Sequence, residues 1–143
     1  MIIRKMTGTD IKSVIALDSK VFIKPWSEQM FLDEIKKHYA YYFVCENDGE
    51  IVGYAGIWCV YETAELMRIG VLPEFQGNGI GKRLMREIAE CAKANGCERM
   101  MLEVRKSNDK AQKLYEKDGF TEINVRKGYY DGEDAVIMER IYK

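Results

Sequence analysis

The sequence predicts a single-domain α/β fold in which about seven strands form one mixed, mostly antiparallel sheet with four helices on its faces. Three observations predict it. The 143 residues, 47% of them hydrophobic, suffice for one core without metal or disulfide support. Strand-like and helix-like periodicities follow one another in the order β-α-α-β-β-β-α-β-α-β-β, hairpin-type strands first and β-α-β units after them. No internal repeat, low-complexity tract or linker divides the chain, so residues 1–143 form one domain.

Ile2 to Met6 is a short opening strand, and Thr7-Gly8-Thr9-Asp10 is a capping box ahead of Ile11, Val14 and Ile15 at helical spacing. Lys24-Pro25 interrupts that pattern. Ser27 then caps a second helix running to about Lys37, with Trp26 placed to staple against Phe31. The aromatic and β-branched run Tyr39 to Glu46, the turn Asn47-Asp48-Gly49 and the run Ile51 to Tyr61 make a hairpin. Ala64 to Val71 is the next strand, closed by Leu72-Pro73. A Gly-rich segment from Gln76 to Gly81 opens a long helix whose apolar face is Ile80, Leu84, Met85, Ile88, Ala89 and Ala92, stopped by Gly96. Met100 to Val104 is a short strand, and Asn108 caps a helix that ends at Gly119. Strands near Thr121 to Tyr129 and Ala135 to Ile141 complete the chain.

Composition narrows the function classes. With 22 Lys+Arg against 23 Asp+Glu the formal charge is -1, which lacks the broad basic field that nucleic-acid binding needs. No apolar run approaches the ~18 residues of a membrane span, and Met1 to Asp10 holds no secretory apolar core. Cys45, Cys59, Cys91 and Cys97 include no C-x-x-C pair, and His38 is the single histidine, so no metal site is expected. The thiols fit small buried hydrophobes in a reducing compartment, and the expectation is a soluble cytoplasmic protein with no membrane and no direct nucleic-acid partner.

Gln76-Gly77-Asn78-Gly79-Ile80-Gly81-Lys82 lies between a strand and a helix, where small residues let backbone N–H groups approach an anion and the helix terminus adds partial positive charge. A P-loop fails, because Gln76 stands where its first glycine belongs and Arg83 follows Lys82. A dinucleotide fingerprint fails as well, since Lys82 and Leu84 occupy its third glycine position in either register.

A third pattern, Q-x-x-G-x-G, fits on Gln76, Gly79 and Gly81, and with it the chain resembles the GNAT superfamily of acetyl-CoA-dependent N-acetyltransferases from Ile2 to Met138. The resemblance implies that backbone amides from Gly77 to Lys82 hold the pyrophosphate of coenzyme A and that Ile69, Gly70 and Val71 contact its pantetheine and acetyl end. Downstream, Leu102-Glu103-Val104-Arg105-Lys106-Ser107-Asn108, Leu114-Tyr115-Glu116, Gly119-Phe120, Tyr129-Tyr130 and Glu133-Asp134-Ala135 resemble the RimI and Ard1 type of protein N-terminal α-amino acetyltransferase, as does Pro25-Trp26-Ser27. Where RimI proteins often carry arginine in the loop this chain has Gly77-Asn78, which shifts anion binding to backbone and Lys82. The resemblance implies acetyl-CoA as acetyl donor, no metal, and a protein N-terminus as acceptor, a ribosomal-protein alanine for the RimI type.

Acetyl transfer from a thioester to an amine needs a neutral nucleophile, a stabilised oxyanion and a proton for the leaving thiolate. Glu103, an ionisable group set in the apolar strand Met100 to Val104, is the candidate base; the alternative is a glutamate on the strand's solvent face. A protein α-amine has a pKa near ~8 against ~10.4 for lysine, so a carboxylate acting through water is an adequate base for it. Tyr115 is the candidate acid by resemblance, although it also continues the apolar stripe of Ala111 and Leu114. Asn108 is an N-cap by physics and a coenzyme A contact by resemblance. The amide near Val71, beside a bulge expected at Gly70, is the candidate oxyanion donor. Trp26, Tyr129 and Tyr130 would flank a groove for an extended peptide. Two other functions remain open: acetylation of a small amine, with Glu62, Glu65 and the Asp131 to Asp134 cluster as cation-facing candidates, and a non-catalytic acyl-CoA-binding module, which has no use for Glu103 and Tyr115.

Overall fold

The computed structural model describes residues 1–143. Seven strands form one sheet: β1 (Ile2–Lys5), β2 (Ala40–Asn47), β3 (Glu50–Val60), β4 (Thr63–Val71), β5 (Arg99–Arg105), β6 (Thr121–Tyr130) and β7 (Glu133–Ile141). Four helices complete the architecture: α1 (Ile11–Val21), α2 (Glu28–Lys36), α3 (Ile80–Ala94) and α4 (Asp109–Lys117). The strand order is β1-β2-β3-β4-β5-β7-β6, antiparallel throughout except for the β4–β5 pair. Every strand and helix predicted from periodicity is present.

Local chemistry accounts for the element ends. Ser27 accepts from the Met30 amide, and the Trp26 and Phe31 rings lie 5.2 Å apart, as the staple requires. Asn108 accepts from the Ala111 amide at 3.2 Å. Ahead of α1 the Asp10 carboxylate accepts from the Thr7 amide, but the turn it closes is a 3-10 turn over Gly8–Asp10 that leads into the helix. Asp10 also takes a two-pronged hydrogen bond from Arg4 on β1.

The core lies on both faces of the sheet, drawing on β2 to β5 and on Val136 and Met138 of β7. The α3 face is filled by Ile80, Leu84, Met85 and Ile88 against Ile57, Met100 and Leu102, and the opposite face by Val14, Leu17 and Phe31 against Tyr54. Glycines mark the tightest approaches: a Cβ on Gly56 would stand 2.0 Å from the Tyr42 ring, and one on Gly70 would stand 3.2 Å from Phe22 and 3.3 Å from Leu17.

The feature that positions the site is the β4–β5 pair. Parallel pairing covers Thr63–Arg99, Ala64–Met100 and Glu65–Met101 only, after which β4 continues to Val71 and β5 to Arg105 without pairing. The two strands splay, opening a wedge in the middle of the sheet. β4 also carries a bulge: Gly56 pairs with Arg68 and Ile57 with Leu66, so Met67 has no partner on β3. The bulge expected at Gly70 is therefore three residues earlier, and Gly70 itself pairs regularly with Tyr54. Glycine stands at 70 because Phe22 and Leu17 pack onto it, not because the ladder breaks there.

Candidate active site

The wedge opens into a cleft of about 290 Å³ whose lining includes Glu103 and Arg105 of β5, Met67 to Ile69 of β4, the cap Asn108 and Tyr115 of α4, Phe22 to Lys24 after α1, and Tyr129 to Asp131 at the end of β6.

β5 alternates strictly. Met100, Leu102 and Val104 are buried on the α3 face, which turns Met101, Glu103 and Arg105 to the other side. That side faces the cleft, and the Glu103 side chain is 25% exposed there. Its surroundings are not apolar, because Arg126 of β6 donates to it at 2.7 Å. Glu65 lies nearby on β4, where burial first and the Glu103 charge second push its carboxyl above the ordinary range.

Tyr115 is 6% exposed, its ring 6.1 Å from Phe120, yet its hydroxyl has no hydrogen-bond partner in the chain and it lines the cleft. The ring is part of the core and the residue also lines the cleft. Burial pushes the phenol above its usual value, so it stays protonated at neutral pH.

β4 supplies a row of main-chain groups. Leu72 donates to Val52 O, and antiparallel alternation from that bond turns the N–H and C=O of Ile69 and Val71 away from β3, into the wedge. The Gln76 side-chain amide donates to Val71 O at 3.0 Å, and Gln76 Oε1 accepts from Lys110 of α4. Gln76 thus ties the Gly-rich loop to both sides of the wedge. In that loop the backbone N–H groups of Gly77, Asn78, Gly79, Ile80, Gly81 and Lys82 make no hydrogen bond to any acceptor in the chain. Gly77 and Gly79 have φ of +84° and +79°, with nothing within 4 Å of a would-be Cβ, and Gly81 lies against Leu114 of α4. Unpaired, consecutive amides at the start of a 15-residue helix form a main-chain cradle for an anion, and the donor chemistry fits a pyrophosphate.

Two segments wall the cleft. Tyr129 and Tyr130 form an edge-to-face pair 5.0 Å apart, stacked under Arg126 and Arg105 respectively. Facing them is the connection from α1 to α2, where Ile23 is 82% exposed and Lys24 forms an ion pair with Asp131. Trp26, expected at the groove, stands behind this wall: its ring packs on Phe31 and under Arg68 and does not line the cleft. Of the remaining acidic candidates, Glu62 lies in the β3–β4 turn outside the cleft lining, and the other two serve the β6–β7 turn, Glu133 accepting from Ser107 and Asp134 from the Gly128 amide. Ile23, Lys24, Arg68 and Arg105 are cleft residues that sequence reasoning missed. For Arg68 a signal existed, a charge inside the apolar strand Ala64 to Val71, the same signal that singled out Glu103.

No group of His, Cys, Asp and Glu side chains is arranged to hold a metal ion, and no helix is long and apolar enough to cross a membrane. Residues 11–120 match the family model described as the Acetyltransferase (GNAT) family. A protein of Bacillus subtilis (strain 168), provisionally named a ribosomal protein bS18-alanine N-acetyltransferase, is 40% identical over 139 residues, which span 95% of this chain and 92% of the relative. The crystal structure of the Escherichia coli ribosomal-protein alanine N-acetyltransferase superposes with a TM-score of 0.92 at 31% identity, covering 99% of this chain and 94% of that one. The structure of Ard1 from Thermoplasma volcanium also gives a TM-score of 0.92, at 25% identity and with 99% and 97% coverage. The fold agrees with these relationships, and the chain belongs to the GNAT family of acetyltransferases.

Proposed function

We propose that this protein transfers an acetyl group from acetyl-CoA to the α-amine of a protein N-terminus, with an N-terminal alanine of a ribosomal protein as the acceptor and the cytoplasm as its place of action. The observation that carries the reading is the wedge itself. It brings a carboxylate from β5 and an unpaired phenol from α4 to one cleft, beside main-chain groups of β4 and below a six-amide cradle. The names of the Bacillus and Escherichia relatives supply the acceptor class.

In this reading the amides of Gly77 to Lys82 hold the pyrophosphate, assisted by Lys82, and Asn108 lies alongside. Ile69 and Val71 pair through their outward main-chain groups with the extended pantetheine arm, in the manner of an added strand. The bound thioester supplies an electrophilic carbonyl, and the Val71 amide is the donor for its developing oxyanion. Glu103 accepts a proton from the incoming ammonium through water, which frees the nitrogen lone pair. As the C–N bond forms and the C–S bond breaks, Tyr115 gives its proton to the departing sulfur and recovers one from the acylated nitrogen. The net products are the amide, the free thiol and one proton released to solvent. Tyr129 and Tyr130 on one wall and Phe22 to Lys24 on the other flank the peptide. Of the acidic residues that a cationic small-molecule pocket would need, Asp131 is paired with Lys24 and Glu133 and Asp134 within the β6–β7 turn, and the unpaired Glu62 and Glu65 do not line the cleft, which favours a peptide over a polyamine.

The test is mass spectrometry of two peptides incubated with the protein and acetyl-CoA, one beginning with a free alanine and a twin with a blocked N-terminus and an internal lysine. Acetylation of the free α-amine alone is expected. Modification of lysine, or of neither peptide, would move the acceptor to side-chain or small-molecule amines.

A further inference from the structure

Asp18 interrupts the apolar stripe of α1 that runs through Ile11 and Val14, and its carboxylate is fully buried. An ionised group in that position survives only if its oxygens are fully engaged. They are: Asp18 accepts from Tyr54 Oη, from the Trp26 amide at 2.8 Å, and from Arg68 Nε and Nη2 at 2.9 and 3.0 Å. The same Arg68 Nη2 donates to the Lys24 carbonyl at 3.0 Å, and the guanidinium carbon lies 3.7 Å over the Phe22 ring and 4.8 Å from that of Trp26. Every other residue of the segment from Phe22 to Trp26 is thus held by one ion pair. Arg68 is the residue directly after the Met67 bulge, which aims it onto the α1 face of the sheet and beside the cleft.

We infer that Arg68 is a positioning residue for the acceptor: paired with Asp18, it fixes the α1–α2 connection as a rigid wall and thereby sets where the amine-bearing substrate lies. The inference rests on the reading that the acceptor enters between this wall and Tyr129-Tyr130. Although Arg68 stands on β4 beside Ile69, neither side chain of the pair makes a hydrogen bond to the cradle or to the Ile69 and Val71 main-chain groups, which would hold the donor. Losing the planar fork should therefore separate the two substrates. Arg68→Lys keeps the charge and its reach to Asp18 but cannot grip Asp18, the Lys24 carbonyl and the Phe22 face at once.

The experiment has two readouts on the full chain. Amide hydrogen exchange across residues 22–27 should accelerate by about tenfold or more in Arg68→Lys while β2 and β3 amides keep their protection. The KM for the acceptor peptide should rise about tenfold, with the acetyl-CoA KM and the kcat at saturating peptide each within about threefold of the parent. Tyr54→Phe, which removes one bond to Asp18 and leaves the Arg68 fork intact, should keep both readouts near the parent and so separates Arg68 from general loosening of the core. Should Arg68→Lys not fold, Phe22→Leu takes its place, with faster exchange at Lys24 and Trp26 as the expected result. Unchanged exchange over 22–27, or a rise in the acetyl-CoA KM equal to that of the acceptor, would overturn the inference. A parent enzyme that acetylates no peptide would refute the proposed acceptor and leave exchange to decide the role of Arg68.

Discussion

Removing one oxygen atom, in Tyr115→Phe, separates chemistry from architecture at this site. The ring is buried beside Phe120, and its contacts survive in phenylalanine. The hydroxyl has no partner in the chain, so its loss strands no buried donor or acceptor, whereas a hydrogen-bonded tyrosine would lose about 0.5–1.5 kcal/mol. Stability should change by less than about 0.5 kcal/mol, a shift of under about 3 °C in Tm for a chain of this size. A positioned general acid contributes about 10²–10⁴ in rate, so kcat should fall at least about 100-fold, or nearly 3 kcal/mol of barrier. Because burial holds the phenol above its ordinary value, the acid form persists through neutral and mildly alkaline pH. Tyr115 should therefore contribute no falling limb to the parent pH profile there. The assay is release of coenzyme A thiol, with a blank for the four free cysteines, alongside a thermal melt. A kcat within about twofold of the parent would refute proton donation by Tyr115.

Glu103→Gln should lower kcat by about 100-fold or more while calorimetric acetyl-CoA affinity is kept, because the carboxylate lies on the acceptor side of the wedge; normal binding with no turnover even in the parent would instead indicate a binding module. Gly79→Ala places a side chain at φ +79°, a cost of about 1–2 kcal/mol with no steric clash, so acetyl-CoA affinity should fall about tenfold by calorimetry. An unchanged affinity would remove the loop from the donor site. Asp10 is held down at about 2 chiefly by its hydrogen bonds from Arg4, so its contribution to stability is present above the ordinary carboxylate value of 3.8 and is lost as pH falls towards 2. Urea unfolding from pH 6 to pH 2.5 should show that loss in the parent, and Asp10→Asn should be less stable at pH 6 with a flatter acid limb.

The elements were legible because their signals are local: caps at Ser27 and Asn108, a staple at Trp26, alternation in β5 and an apolar stripe in α3 can all be found within a few residues of one another. The bulge was misplaced because residue type at Gly70 reports a need for space, and that need came from Phe22 and Leu17 on another element. Met67, the true bulge, carries no mark in the sequence, since a bulge is a property of register with β3. The splay of β4 from β5 was invisible for the same reason. Of the candidate site, Glu103, Tyr115 and Asn108 line the cleft, and the Gly-rich loop has its amides free. Trp26 was placed on the wrong side of its own wall, because an aromatic beside a proline gives no sign that a distant arginine will cover it. Asp18 and Arg68 each broke an apolar pattern, but the fact that they break it together is known only once α1 lies on β4.

The two halves of the cleft differ in what mutation can do to them. In the proposed reading the donor would be held chiefly by peptide groups, those of Ile69, Val71 and the amides from Gly77 to Lys82, with the Lys82 and Asn108 side chains beside them, and a peptide group is the part of a residue that most substitutions leave in place. The acceptor would instead meet side chains of two cleft-lining connections, residues 22–24 and 129–131, where exchange of a single residue changes shape, charge or reach. Drift in such a sequence is therefore unequal: preference for the acetyl donor is buffered against change, while preference for the amine is free to move. A lineage built on this scaffold can acquire new acceptors through a few substitutions at Ile23, Lys24 and Tyr129 without putting its source of acetyl groups at risk.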